Sequence, residues 1–81
     1  MSKFKYSLTT AGVKRCIQNE FYLQEIPTYK GYTEKVFRIL HTSEKPLTIA
    51  EISNLTGIKS RSINGVMTFN IYAGYIRQVP L

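Results

Sequence analysis

The sequence has very few of the residues on which small disulfide-bonded, metal-binding and catalytic domains depend. It contains one cysteine, Cys16, one histidine, His41, and no aspartate. A single cysteine cannot close a disulfide loop, and one Cys with one His cannot supply a Cys3His or Cys2His2 zinc site. The residues also provide no Ser-His-Asp triad and no Gly-rich phosphate loop. We therefore predict no enzyme, no metal, no cofactor and no small-molecule ligand, and we interpret His41 as structural.

Long apolar segments are also missing. No run approaches the roughly 20 residues that a membrane span requires. The N-terminus, MSKFKYSLTT, has cations but lacks the apolar segment of a signal peptide. With 81 residues, 43% of them hydrophobic and 20% charged, the chain is expected to form one globular domain. We predict no membrane partner and an intracellular, cytoplasmic location.

Acidic residues are confined to the middle of the chain. Eleven Lys and Arg against five Glu give a net charge of +6. Residues 1–15 and residues 52–81 contain cations and no acid. If the two ends come together, they present one cationic face, which suits nucleic acid or an anionic membrane surface. The alternative is a basic protein that its charge merely keeps soluble.

The first third of the chain predicts a strand followed by a helix. Residues 3–8 alternate between apolar and polar side chains, which is typical of a half-buried strand with a charged outer face. Thr9 or Thr10 can cap the helix that follows, and the helix must end before Pro27. Its apolar residues at helical spacing are Val13, Cys16, Ile17 and Phe21. Cys16 is therefore expected in the core.

A loop at residues 27–32 leads to a second helix, which starts near Thr33 and is broken by the SEKP stretch at 43–46. The tyrosines around this loop can form either a dimer surface or ordinary packing. They are Tyr22, Tyr29 and Tyr32. The apolar face of the second helix consists of Val36, Phe37, Ile39 and Leu40.

The last part of the chain has the clearest boundary signals. Thr48 and Glu51 form a Thr-x-x-Glu capping box at the start of a third helix, and Gly57 supplies a turn. A fourth helix is predicted from about residue 60 to 73, where Gly74 stops it, and a strand follows at 75–79. The predicted inner residues are Ile49, Ile52 and Leu55 on the third helix and Ile63, Val66 and Met67 on the fourth. The predicted fold class is α+β, mainly α: four helices with a small antiparallel sheet formed by the N- and C-terminal strands.

The stretch 46–79 resembles the helix-turn-helix core of winged-helix DNA-binding proteins of the MarR and IclR type. Ser53 is small where the two helices would cross, and Gly57 makes the turn. The sequence Gly-Tyr-Ile-Arg at 74–77 is similar to the exit from the recognition helix into the first wing strand. The resemblance implies a winged-helix fold and DNA binding, although some winged helices bind protein instead.

The N-terminal sequence KYSLTTAGVKRCI is similar to the segment that follows the wing in that family, a strand ending in Y-x-L-T-x-x-G that runs into a helix. The resemblance therefore implies a circularly permuted winged helix. Strand 3–8 would pair antiparallel with strand 75–79, and Met1 and Leu81 would lie at a severed wing tip. Alternatively, the N-terminal strand simply adds to the sheet or pairs with a second protomer.

In a helix-turn-helix protein the second helix lies in the major groove, with its N-terminal residues facing base edges. The predicted base-contacting residues are Lys59, Ser60, Arg61, Ser62, Asn64 and Thr68. Arg pairs with guanine and Asn with adenine. For Arg61 and Asn64 the alternative is an exposed helix face without a partner. Ser60 and Ser62 are equally suited to cap the helix, and capping and base contact can coexist. The predicted phosphate-contacting residues, which position the protein without reading sequence, are Lys3, Lys5, Lys45, Thr48 and Arg77.

Two residues depart from the family pattern. Gly65 interrupts the fourth helix, where glycine costs about 1 kcal/mol relative to alanine; it either allows close approach to DNA or is simply tolerated. Asn70 stands where the family has a large apolar residue. Either it satisfies a buried polar contact, or the helix is rotated so that Phe69 and Tyr72 face inward.

The sequence thus predicts a protein that binds double-stranded DNA sequence-specifically, with the helix at about 60–73 in the major groove. The small size and the lack of an effector domain suggest a minimal transcriptional repressor, or a regulator from a virus or plasmid. We expect it to be cytoplasmic and nucleoid-associated, and a homodimer is one option for its oligomeric state. The alternative is a winged-helix interaction module that docks on a transcription or replication factor.

Overall fold

The computed structural model of the chain describes residues 4–18 and 31–80. Within these ranges it has four helices and two strands. They are β1 (Phe4–Leu8), α1 (Thr10–Gln18), α2 (Tyr32–Thr42), α3 (Ile49–Thr56), α4 (Ser60–Tyr72) and β2 (Ile76–Pro80). This confirms the predicted α+β, mainly helical, class. None of the described helices has the length and apolar character needed to cross a membrane.

Some of the predictions fall outside the described residues. These include the continuation of the first helix beyond Gln18 and most of the loop before α2. The individual residues concerned are Met1, Lys3, Phe21, Tyr22, Pro27, Tyr29 and Leu81. Tyr32, the described member of the tyrosine group, begins α2 and is 36% exposed.

The two strands pair antiparallel within one chain, as predicted. Phe4 lies opposite Pro80 at one end of the ladder, and Leu8 lies opposite Ile76 at the other. The opposite edge of β1 is also paired, because the Tyr6 N–H donates to the Leu47 carbonyl at 2.7 Å and the Leu47 N–H donates back at 3.0 Å. β1 is therefore held between β2 and the segment that leads into α3.

The core lies where the helices meet the inner face of this small sheet. Tyr6 and Ile76 contribute from the strands, and Phe37 and Ile63, both fully buried, contribute from α2 and α4. Burial of one large apolar side chain contributes about 1.5–3 kcal/mol. The remaining buried apolar residues of this cluster are Cys16, Val36, Leu40, Leu47, Ile52, Ile58, Val66 and Met67.

Two residues predicted to face inward are exposed instead. Ile17 is 70% exposed and Leu55 is 61% exposed. α1 turns Gly12 and Cys16, one helical turn apart, toward the rest of the protein, so the next residue, Ile17, is rotated away from it. α3 buries only Ile52 completely, and Leu55 falls in its last turn, beside a surface groove that it shares with α2.

Candidate nucleic-acid interface

Helix α4 has an exposed stripe that runs from its first to its last turn. Arg61, Asn64 and Thr68 are all exposed, and their i, i+3, i+7 spacing places them on one face of the helix. Tyr72 extends the same line by one turn and is 95% exposed. α4 contains no acidic residue, so this stripe carries only positive charge and neutral polar groups.

The opposite face of α4 is fixed in the core. Ile63, Val66 and Met67 are almost completely inaccessible to solvent. Asn70 is also buried, and its side-chain Nδ2 donates to the Val66 backbone carbonyl at 2.8 Å. The backbone carbonyl of Asn70 accepts from the Tyr75 N–H at 2.9 Å. Asn70 thus satisfies a buried polar contact. The alternative rotation, with Tyr72 inward, is wrong because Tyr72 lies in solvent.

The turn between α3 and α4 is held by Ser53 and Gly57. The Ser53 hydroxyl donates to the Ile58 carbonyl at 2.6 Å. Gly57 has φ of 76°, and its N–H donates to the Ser53 carbonyl at 2.8 Å. Glycine takes this left-handed conformation without steric cost. The small residue expected where the helices cross therefore also bonds the turn, which sets the position from which α4 starts.

The N-terminus of α4 lacks a side-chain cap. Lys59 occupies the N-cap position without a capping hydrogen bond, and the first turn contains no acid. The capping role considered for Ser60 and Ser62 is therefore wrong: both follow the N-cap position, where Ser60 is exposed and Ser62 is half-buried. The first backbone N–H groups of a helix have no partner inside it, and this end of the helix carries partial positive charge.

The Thr68 hydroxyl already makes a hydrogen bond within the helix. It donates to the Asn64 carbonyl one turn earlier, at 2.9 Å. The hydroxyl proton is thus used within the helix, and the oxygen keeps acceptor capacity toward a partner.

The strand pair carries the second group of predicted contacts. Ser7 lies opposite Arg77, and Lys5 lies opposite Val79, so these four side chains share the outer face of the sheet. The Arg77 Nε donates to the Ser7 hydroxyl at 3.0 Å, which holds this exposed guanidinium across β1. The predicted contact of Lys3 lies outside the described residues.

Glu51 occupies the N-terminus of α3, where Thr48 was predicted to contact phosphate. The predicted capping box is present: the Glu51 N–H donates to the Thr48 hydroxyl at 3.1 Å, and the Thr48 N–H donates to Glu51 Oε1 at 2.8 Å. The hydrogen bond from the Thr48 backbone lowers the pKa of the Glu51 carboxyl, and the charges of Lys5 and Lys45 lower it further. Lys5 and Lys45 thus lie near this carboxylate, which opposes a phosphate at Thr48.

The end of α4 is bound to the start of α1 by residues of the Y-x-L-T-x-x-G motif. The Thr9 hydroxyl donates to the Gly74 carbonyl at 2.7 Å and accepts from the Gly12 N–H at 3.1 Å. The Thr9 N–H donates to the Tyr75 carbonyl at 3.0 Å. A Cβ at Gly12 would overlap that carbonyl oxygen, so no larger residue fits without a shift. This motif therefore joins the N-terminal segment to the exit of α4.

Arg15 lies in the acid-free N-terminal segment that was expected to contribute to a cationic face. In the structure it is buried and only 8% exposed. Its guanidinium lies 4.7 Å from the centre of the Tyr75 ring, and Nη1 donates to the Tyr75 hydroxyl at 3.5 Å. Arg15 packs α1 against the residue before β2, and it takes no part in the exposed cationic surface.

Cys16 and His41 meet between α1 and α2, with 3.6 Å between Sγ and Nδ1. Burial raises the pKa of the Cys16 thiol, which agrees with the predicted core role and disfavours a reactive thiolate. Across residues 4–18 and 31–80 there is no group of three or more side chains suited to hold a metal ion.

The candidate interface therefore consists of the α4 stripe with its uncapped N-terminus and the outer face of the strand pair. Tyr72 is the member that sequence reasoning missed; its i+4 spacing from Thr68 was the available signal. Comparison of the chain with protein-family models, with curated proteins and with solved structures finds no match.

Proposed function

We propose that this chain is a circularly permuted winged helix-turn-helix protein that binds double-stranded DNA sequence-specifically, as a small transcriptional regulator associated with the nucleoid. The observation that carries the proposal is the exposed stripe Arg61–Asn64–Thr68 on a helix without acids, whose opposite face is fixed in the core. A rigid helix of this kind can enter the major groove and present Arg to guanine and Asn to adenine.

The strand pair supports the same proposal. Lys5 and Arg77 lie on its outer face, and Lys45 is exposed before the N-terminus of α3. Cations at such positions contact phosphates and fix the register of a protein on DNA. With about six phosphate contacts, the logarithm of the affinity should fall with the logarithm of the salt concentration at a slope of roughly −5.

Selection of bound sequences from a pool of random duplexes tests this proposal. We expect a defined consensus, and a palindromic one if the chain binds as a homodimer, because two-fold protein symmetry requires a two-fold site. On the selected duplex, Arg61→Ala and Asn64→Ala should each lower affinity by about 10- to 100-fold, equivalent to about 1–3 kcal/mol.

Two substitutions that remove a cation and an amide elsewhere on the surface serve as matched controls. Lys14→Ala removes one exposed cation from α1, and Asn54→Ala removes one exposed amide from α3. Both should retain the sequence preference of the wild-type chain. A pool that shows no enrichment, or an Arg61→Ala variant that binds the selected duplex as well as wild type does, would refute the proposal.

A further inference from the structure

A groove of about 310 Å³ opens between α2 and α3. Its lining residues are Lys35, Arg38, Ile39, Leu55 and Thr56. None of them belongs to the α4 stripe or to the strand pair. We infer that this groove docks an acidic peptide segment of another protein, which inserts an apolar side chain against Leu55 and Ile39 and places a carboxylate beside Lys35.

The apolar part of the groove is accessible to a partner. Leu55 is 61% exposed, and Ile39 is half-buried against the core. The volume lies at the lower end of the range for ligand pockets and is enough to take a large apolar side chain. A nucleic-acid backbone gains nothing from such a surface, because Leu and Ile offer no hydrogen-bond donor to a phosphate. The apolar lining therefore favours a polypeptide.

The charge at the rim determines which polypeptide fits. Lys35 is exposed. Arg38 is already engaged by Glu34, with 3.0 Å between Nε and Oε2, so Lys35 is the principal charge that an arriving partner meets. The whole chain carries +6, which attracts acidic partners and repels basic ones. An apolar anchor flanked by Asp or Glu is complementary to both parts of the groove.

A second copy of this chain is a poor occupant. Two chains of charge +6 repel one another. Of the three glutamates in the described residues, Glu34 bonds to Arg38 and Glu51 bonds to Thr48. That leaves Glu44, which is followed directly by Lys45. The surface described here therefore offers few carboxylates to the Lys35 rim of another copy.

The test is a selection of short random peptides on the full-length chain, followed by fluorescence anisotropy with the enriched peptide. We expect a consensus in which a large apolar residue is flanked by Asp or Glu. Leu55→Asp should weaken binding of that peptide by about tenfold or more, as truncation of a central anchor does. Lys35→Glu should weaken it severalfold, with a smaller effect at high salt.

Two control variants separate the groove from general changes in charge. Ala50→Asp adds the same charge to an exposed position of α3 outside the groove, and Lys14→Glu reverses an exposed cation on α1. Both should bind the peptide within about twofold of wild type, apart from the long-range effect of net charge. Circular dichroism should find all four variants folded, since the substituted positions are exposed.

Four results would overturn the inference. The first is the absence of an acidic-apolar consensus, and the second is a consensus peptide whose binding is the same in the Leu55→Asp and Lys35→Glu variants as in wild type. The third is self-association of the wild-type chain, measured by light scattering, that Leu55→Asp abolishes, since the occupant would then be a second copy. The fourth is sedimentation with phosphatidylserine vesicles that depends on Leu55, which would assign the groove to a membrane surface.

Discussion

The helices α3 and α4 are joined by one tight turn, yet they begin in opposite ways. At α3, Thr48 and Glu51 satisfy one another's backbone donors, and the carboxylate lies at the positive end of the helix. At α4, Lys59 stands at the N-cap without a capping hydrogen bond, and no acid lies in the first turn. At α3, the capping box uses the free backbone N–H groups and the Glu51 charge offsets the positive end of the helix dipole. At α4 neither happens, so its N–H groups and its positive end are available to an outside partner.

The start of α3 contributes to the stability of the fold, whereas the start of α4 leaves groups available for binding. A capping residue typically contributes about 1 kcal/mol to helix stability; α3 has one, and α4 does without it. The first turn of α4 is held from its other side by buried Ile63, so the helix can begin with residues suited to contact rather than to capping.

The largest effect is expected when the capping residues of α3 are introduced at the start of α4. Substitution of Lys59→Thr together with Ser62→Glu creates a Thr-x-x-Glu capping box at the start of α4. We expect the melting temperature to rise and binding to the selected duplex to fall by about 100-fold, because a cation at the interface is lost and a carboxylate faces the DNA. Differential scanning calorimetry and electrophoretic mobility shifts measure the two effects.

A matched control for this double variant changes the net charge by the same amount on α1. Lys14→Thr with Gln18→Glu alters two exposed residues and should weaken DNA binding far less. If both double variants bind equally poorly, net charge rather than the start of α4 decides affinity, and the contrast between the two helices has no functional meaning.

The far end of α4 is supported by the start of α1, where Thr9 and Gly12 contact residues 74 and 75. Gly12→Ala places a methyl group against the Tyr75 carbonyl oxygen, which should destabilise the fold by about 1–3 kcal/mol. That corresponds to a fall in melting temperature of about 4–8 °C per kcal/mol for a domain of this size. The exposed neighbour substitution Ala11→Ser should leave the melting temperature nearly unchanged. Equal melting temperatures for Gly12→Ala and wild type would contradict the close contact between α1 and Tyr75.

A smaller effect distinguishes the two N-cap positions directly. Thr48→Ala removes the capping hydroxyl of α3 and should lower the free energy of unfolding by about 1 kcal/mol. Lys59→Ala removes no cap and should change it by less than about 0.5 kcal/mol. Urea denaturation of the two variants measures both values. If Lys59→Ala lowered the free energy of unfolding more than Thr48→Ala does, the assignment of the stabilising cap to α3 would be contradicted.

Glu51→Gln gives the smallest effect on binding. Glutamine keeps the capping geometry but removes the negative charge near Lys5 and Lys45. If these lysines contact phosphate, DNA affinity should rise by about threefold at low salt, and the gain should shrink as salt screens it. Glu44→Gln removes the same charge at an exposed position outside the box and should raise affinity less.

The same variant reveals a pH dependence of stability. The fold lowers the pKa of the Glu51 carboxyl, chiefly through the hydrogen bond from the Thr48 backbone. The carboxylate therefore stabilises the folded chain above the ordinary glutamate pKa, about 4.3, and this contribution is lost as the pH falls through the lowered value. We expect the melting temperature of wild type to exceed that of Glu51→Gln near neutral pH and the difference to vanish in acid. A constant difference would contradict this.

Several features of the fold could be predicted from short stretches of sequence. The Thr48–Glu51 box, the turn at Gly57 and the alternation along β1 were all confirmed, because each depends on neighbours within a few residues. The pairing of β1 with β2 also agrees with the prediction, which came from a resemblance rather than from local signals. The bond from Leu47 to the other edge of β1 was not foreseen, since an isolated bridge leaves no pattern in the sequence.

Side-chain burial on the helices was harder to predict. Ile17, Leu55 and Tyr72 have apolar or aromatic side chains and were placed inward in at least one interpretation, yet all three are largely exposed. Arg15 belongs to the acid-free N-terminal segment that was expected to contribute to a cationic face, yet it is buried beside Tyr75. A helical pattern shows which residues share a face, but the rotation of the helix about its axis depends on the elements that pack against it.

The sequence by itself determined where most helices and strands begin and end, and it determined the acid-free composition of α4 and of the C-terminal strand. Those properties follow from backbone conformation, capping and charge, which act over a few residues. Only the tertiary structure decided that Asn70 is buried, that Tyr72 joins the exposed stripe and that the charge of Lys5 acts on the Glu51 carboxylate. These outcomes depend on contacts between segments that are far apart in the chain. The free energy of such a contact depends on both segments, so neither segment alone predicts it.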